Sequence, residues 1–190
     1  MMPNALSSCL FVTIGSLPDA LQKHMQRVRI EAQKLALSHG LEESRVDFAA
    51  ATHDICRSMK PGDLLLEARY RGLKINRIDE QNPILLHGPV GAARLRDEFG
   101  ISDLDIIEAV HWHTTAAPDL PPLGKAVFLA DKLDPLKEGR YPFLEEVRGI
   151  AQESLDQGVV TFLQRDIQRL LRLGHAPHPI AMATLNGLLR

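Results

Sequence analysis

The 190-residue chain is long enough to bury one core without disulfides, and its 45% hydrophobic content is ordinary for a globular protein. Its net charge of −2, with no basic block, excludes nucleic-acid binding through phosphate neutralisation. The two cysteines, Cys9 and Cys56, lack metal-type spacing and read as reduced thiols of a cytoplasmic protein.

The apolar run 9–14 is too short for a membrane span and lacks the flanks of a signal peptide, so residues 1–16 read as an N-terminal arm or a short strand. Pro18, two residues after the candidate cap Ser16, opens a helix. Its stripe is Leu17, Leu21, Val28, Ala32 and Leu35, with His24 on the same line and Gly40 as the stop. A second helix starts near residues 42–44 and carries Val46, Ala49, Ala50 and His53 on one face. Asp54 lies about 100° further round and borders the same cavity.

Lys60-Pro61-Gly62 breaks the pattern; a short helix 63–71 and a polar connector to Asn82 follow. Pro89 reads as a first-turn proline, which puts His87 at the entrance of a helix that runs to Phe99 and stops at Gly100. Ser102 caps the next helix, where Ile106, Ala109, Val110 and His113 face inward. His111 is about 200° away from His113 and points elsewhere. After the proline-rich loop 116–122, a helix 123–133 leads Val127, Phe128 and Ala130 to Asp131, with Asp134 three residues on and Pro135 as terminator. Segments 143–152, 155–173 and 180–189 read as helices whose polar residues face outward and carry no chemistry. No segment alternates with period two, so the fold class is all-α, a compact helical bundle.

One buried histidine is ordinarily satisfied by a carbonyl, and one inward aspartate by a cap or an ion pair. Here His24, His53, Asp54, His87, His113 and Asp131, from five segments, all aim inward. Such a core is expensive unless cations join it. Six ligands exceed what one tetrahedral zinc takes, whereas two adjacent metals bridged by Asp54 use them all. Mixed imidazole and carboxylate donors suit iron, manganese or zinc.

The order His, His-Asp, His, His, Asp resembles the HD-domain metal-dependent phosphohydrolases, and their YqeK-type subgroup most closely. The resemblance spans residues 17–153. It is carried by His24 with Arg27-Val28, His53-Asp54-Ile55, Leu85-Leu86-His87-Gly88-Pro89-Val90, Ala109-Val110-His111-Trp112-His113-Thr114-Thr115 and Ala130-Asp131-Lys132-Leu133-Asp134-Pro135. It implies an HD-type domain at 17–153, with helices 154–190 packed on it. It implies symmetrical hydrolysis of diadenosine tetraphosphate to two ADP at two divalent metals, iron first, with manganese or zinc as alternatives. His24, His53, Asp54 and Asp131 would hold one metal; Asp54, His87 and His113 the other. Arg57 stands where the subgroup usually has Lys, Ala116 where Thr-Thr is usually followed by Gly, and Asp134-Pro135 where it usually has Glu-Pro. Residues 136–141 look longer than usual.

The expected mechanism is attack on phosphorus by a metal-bridging hydroxide, with ADP leaving. Arg57 and Lys125 would hold phosphate oxygens, with Arg140 and Lys137 as weaker candidates; Thr114 and Thr115 would donate to phosphate or cap the helix end. Asp134 would orient a ligand or assist proton transfer to the leaving group. Trp112 would stack on a base or serve packing, and Cys56 is a small buried hydrophobe. The expected partner is a dinucleoside polyphosphate, with no nucleic acid and no membrane; a homodimer is compatible with this reading. Alternative readings are a 5'-nucleotidase-like phosphohydrolase, a non-catalytic nucleotide-binding HD module and a purely structural helical domain.

Overall fold

The computed structural model describes residues 8–190, and among them there are α-helices, two short 3-10 turns and no strand. The helices are α1 (Ser8–Gly15), α2 (Asp19–Ser38), α3 (Glu43–Thr52), α4 (Pro61–Tyr70), α5 (Arg77–Gln81), α6 (His87–Asp97), α7 (Leu104–Trp112), α8 (Pro122–Lys132), α9 (Leu144–Glu153), α10 (Leu155–Arg172) and α11 (Pro179–Leu188). No helix among the described residues is long and apolar enough to cross a membrane.

Helices α2, α3, α7 and α8 pack on one another, α6 lies on α7, and α10 covers α8 and α9. The α2 stripe buries Met25, Val28, Ala32 and Leu35, spaced at three and four residues as an amphipathic helix requires. Below α10 sits an aromatic layer in which Phe128 and Phe162 meet edge to face, centroids 5.6 Å apart, and Tyr141 joins Phe162 at 5.3 Å. Gly158 lets α10 lie close against α9, since a Cβ there would stand 2.9 Å from that of Ala151.

Four local expectations change. The apolar run 9–14 is helical, within α1, rather than a strand; residues 1–7 of the expected arm lie outside the described residues. The polar connector before Asn82 contains α5, nucleated by a capping box in which Asn76 accepts from the Asp79 amide and Asp79 accepts from the Asn76 amide. The cap of α7 is Asp103, whose carboxylate accepts from the amides of Asp105 and Ile106; Ser102 is not the cap. Lastly, α3 and α7 stop one residue earlier than their apolar stripes suggest, so His53 and His113 occupy the residue just past the helix end.

Candidate metal centre

The ends of α3 and α7 explain how the backbone aims two imidazoles. His53 Nδ1 donates to the Ala50 carbonyl and His113 Nδ1 to the Val110 carbonyl, each at 2.7 Å and each three residues upstream. His87, at the start of α6, repeats the device with the carbonyl of Ile84. A carbonyl only accepts, so each of these rings carries its proton on Nδ1 and turns the Nε2 lone pair inward. His24, on α2, is held differently: its Nδ1 donates to Asp134 Oδ2 at 2.5 Å. Arg27, one turn further along α2, clamps Asp134 through Nε at 2.7 Å and Nη2 at 2.9 Å. All four histidines therefore present Nε2 to one buried volume.

Asp54 lies at its centre and divides its oxygens. Oδ2 is 3.6 Å from His24 Nε2 and 3.5 Å from His53 Nε2, while Oδ1 is 2.9 Å from His87 Nε2 and 3.3 Å from His113 Nε2. Asp131 Oδ1 closes the first side, 3.1 Å from His24 Nε2 and 3.8 Å from His53 Nε2. Donor atoms of His24, His53 and Asp131 fall within 4.8 Å of one another, and so do those of His53, Asp54 and His113. His53 thus stands at the boundary between the two sides.

These residues fit a metal. His53 Nε2 and Asp54 Oδ1 are buried without a hydrogen-bond partner. The short His87–Asp54 distance is no exception, because Nε2 of that tautomer has no hydrogen to give. His87 Nε2 and His113 Nε2 face each other at 2.9 Å, lone pair toward lone pair. Such crowding of acceptors is unfavourable until a cation shares them. The donor set of neutral nitrogens and carboxylate oxygens suits a divalent transition metal.

The electrostatics agree with that set. Burial pushes His53 down from the ordinary imidazole value and His113 down to about 4, which keeps both neutral. For Asp54, burial raises the carboxyl, and positive charge on the surrounding rings, His53 first, lowers it whenever they take a proton; the lowering prevails, well below the usual range. Asp131 is likewise held down against burial, by the ammonium groups of Lys132 and Lys137. In Asp134, burial is outweighed by Arg27 and His24, and the carboxyl sits at about 2. Both Asp134 oxygens are engaged, and the carboxylate holds the His24 ring in place.

The expected substrate contacts do not all gather here. Arg57 is exposed, with no side-chain partner among the described residues, three residues beyond Asp54. Thr114 is half-buried beside His113, whereas the Thr115 hydroxyl is committed to the Ala116 carbonyl at 2.9 Å. Ala116 itself sits at φ 56°, the left-handed region that favours glycine. Lys125 stands apart, paired with Asp156 at 2.5 Å in a 360 Å³ cavity lined by His39, Leu41 and Glu153, among others, and by none of the six candidate ligands. Arg140 is exposed and lies over the ring of Tyr141. His111 lies against Trp112, ring centroids 4.1 Å apart, outside the cluster. Trp112 donates from Nε1 to Glu108 at 2.6 Å. Cys56 is buried, and burial pushes its thiol up to about 11, as an inert apolar filler requires.

Sequence reasoning gave no role to two residues of the site. Lys132 is buried and donates to the His113 carbonyl at 3.0 Å and to Asp131 Oδ2 at 2.9 Å, tying the two sides together. The other is Arg27. A charged residue directly beside an inward aspartate, and one three residues after an inward histidine, were the available signals.

Residues 21–136 match the family model described as HD domain. The chain is 31% identical over 178 residues to a Halalkalibacterium halodurans protein named bis(5'-nucleosyl)-tetraphosphatase, symmetrical, with 91% of each chain covered. A Bacillus subtilis protein of the same name is 28% identical over 165 residues, 87% of each chain. A Clostridium acetobutylicum crystal structure, described as an HD superfamily hydrolase involved in NAD metabolism, matches the fold with a TM-score of 0.89 at 24% identity, over 97% of this chain and 98% of that one.

Proposed function

This chain belongs to the HD domain family, and from that membership we propose that it is a metal-dependent hydrolase cleaving dinucleoside tetraphosphates symmetrically, diadenosine tetraphosphate to two ADP. The observation that carries the reading is the convergence of four imidazole lone pairs on a carboxylate whose two oxygens serve opposite sides. A binding-only module has no need of donors crowded in that way. His24, His53, Asp54 and Asp131 would hold one divalent cation, and Asp54, His87 and His113 a second, with iron first and manganese or zinc as alternatives. Such cations, when bound, supply Lewis acidity toward phosphoryl oxygens and lower the pKa of water.

The chain's own groups do the rest. The backbone carbonyls of Ala50, Ile84 and Val110 keep three histidines in the tautomer that offers Nε2, and Asp134 does so for His24. Lys132 fixes Asp131 through Oδ2 and leaves Oδ1 on the cluster side. Arg57 and Thr114, whose polar ends have no side-chain partner among the described residues, would receive phosphate oxygens next to Asp54 and His113. Arg57 would hold them with a planar fork rather than an ammonium point charge.

The test is metal quantification on anaerobically purified protein, followed by product analysis of the same sample with diadenosine tetraphosphate and a panel of nucleoside monophosphates. ADP as the sole nucleotide product is the expected result. Phosphate release from monophosphates without tetraphosphate cleavage would favour the 5'-nucleotidase-like reading, and protein without iron, manganese or zinc would sink the metal reading.

A further inference from the structure

The C-terminal helix α10, which sequence reasoning leaves without chemistry, delivers an arginine to a basic cluster adjoining the metal centre. After Asp134 the chain winds into a tight turn in which the Lys137 carbonyl accepts from the amides of Arg140 and Tyr141, both at 2.9 Å. Lys137 reaches back toward the centre: its ammonium donates to the Asp131 carbonyl at 2.6 Å and to Asp131 Oδ1 at 2.5 Å. The buried ring of Tyr141 then gathers two guanidinium groups, with Arg140 Cζ 5.1 Å and Arg169 Cζ 5.2 Å from its centroid.

Lys137, Arg140 and Arg169 all act on the Tyr141 phenol, and Asp166 is the one carboxylate among the groups that do so most strongly. Lys137 is paired with Asp131 and Arg169 with Asp166, so Arg140 is the cation of the three without a carboxylate partner among the described residues. Asp166 satisfies Arg169 only in part. Its Oδ1 accepts from Nε at 2.8 Å, but Nη2, 2.7 Å from the same oxygen, is out of line and has no hydrogen-bond partner although it is buried. Arg140, exposed and without a carboxylate, and Arg169 Nη2, short of a well-aligned acceptor, leave donor capacity for an anion.

We infer that Lys137, Arg140 and Arg169 around Tyr141 form an anion subsite beside the metal centre, which takes the phosphate chain of one nucleoside diphosphate half of the substrate. The inference deepens the proposed function and rests on it for the identity of the anion. A tetraphosphate extends well beyond the phosphorus under attack, and the six candidate ligands offer it no further cation. Lys137, bonded to Asp131, links the two regions. Because Arg169 comes from α10 and Arg140 from the turn after Asp134, the subsite needs the C-terminal helices in place.

The experiment compares metal-loaded wild type, Arg140→Gln and Arg169→Gln by calorimetry with ADP and with adenosine, alongside KM and kcat for diadenosine tetraphosphate and the Tm of each variant. Each substitution is expected to weaken ADP binding about tenfold, the scale of one charge-assisted hydrogen bond, with adenosine binding unchanged and KM rising more than kcat falls. Equal ADP affinity in all three proteins overturns the subsite, as does equal weakening of ADP and adenosine, or a wild type that binds no ADP. If Arg169→Gln unfolds, the exposed Arg140→Gln decides alone. Arginine-dependent ADP binding in a wild type that cleaves no tetraphosphate would uphold the subsite and refute the proposed activity.

Discussion

Gly88 lies so close to His111 that a Cβ at residue 88 would stand 2.8 Å from the His111 carbonyl oxygen. The same atom would be 3.0 Å from the Val110 carbonyl and 3.1 Å from His113 Cε1. Backbone cannot yield as a flexible side chain can, so this glycine sets the spacing of α6 and α7, and with it the 2.9 Å separation of His87 and His113. Gly88→Ala is expected to destabilise the fold by about 1–3 kcal/mol through overpacking and to weaken metal binding on the His87/His113 side. Denaturant midpoints and metal content check this; a variant with wild-type values for both would show that the approach is looser than described.

Asp54 is shared between both sides of the cluster. Asp54→Ala is expected to abolish binding of both cations and hydrolysis together, while His111→Ala retains wild-type metal content. Metal-to-protein ratios measured by elemental analysis decide. One metal retained in Asp54→Ala would end the bridging role, and metal lost from His111→Ala would mean that the wrong histidine has been assigned.

The His24 imidazole depends on Asp134, and Asp134 on Arg27. Arg27→Ala and Asp134→Asn leave every candidate ligand in place but free the His24 ring. Each is expected to reduce metal affinity about 10–100-fold, the usual consequence of losing the partner that orients a ligand. A competition titration against a chromophoric chelator measures it, and unchanged affinity in both variants would mean that His24 needs no support.

Acid should destabilise the metal-free protein through its buried imidazoles. Burial holds His111 and His113 at about 4, against 6.5 for an unhindered histidine. Between those values the unfolded chain binds protons that the folded chain refuses, so stability is complete above pH 6.5 and declines as pH falls toward 4. Each such histidine contributes at most about 1.4 kcal/mol per pH unit. His111→Gln removes one of them without touching the cluster. Urea midpoints at neutral and mildly acid pH should lie closer together in that variant; an identical pH response would place the acid sensitivity elsewhere.

The apolar stripes of α2, α3, α7 and α8 were legible because each runs two turns or more, long enough for a helical period to stand out. Helix α5 has five residues, too few to show a period, and only its capping box marks it. Ser102 and Asp103 are both competent caps, so sequence could not choose between them. The six inward ionisable residues were visible because each interrupts or borders an apolar face. Lys132 and Arg27 carry no clear signal, because charges beside an inward residue usually belong to a solvated face. Lys125 misleads for the opposite reason: it precedes Asp131 by six residues, but on the far end of α8, where it meets Asp156. Arg169 gave no signal, since the ring it approaches belongs to Tyr141 on a different segment.

Three of the four imidazoles are steered by peptide carbonyls, and a peptide carbonyl survives every substitution of the residue that bears it. His24 alone takes its orientation from side chains that can be replaced. Divergence or engineering that leaves the ligands untouched can therefore retune this centre chiefly at Arg27 and Asp134, while the remaining rings inherit their aim from where their helices begin and end.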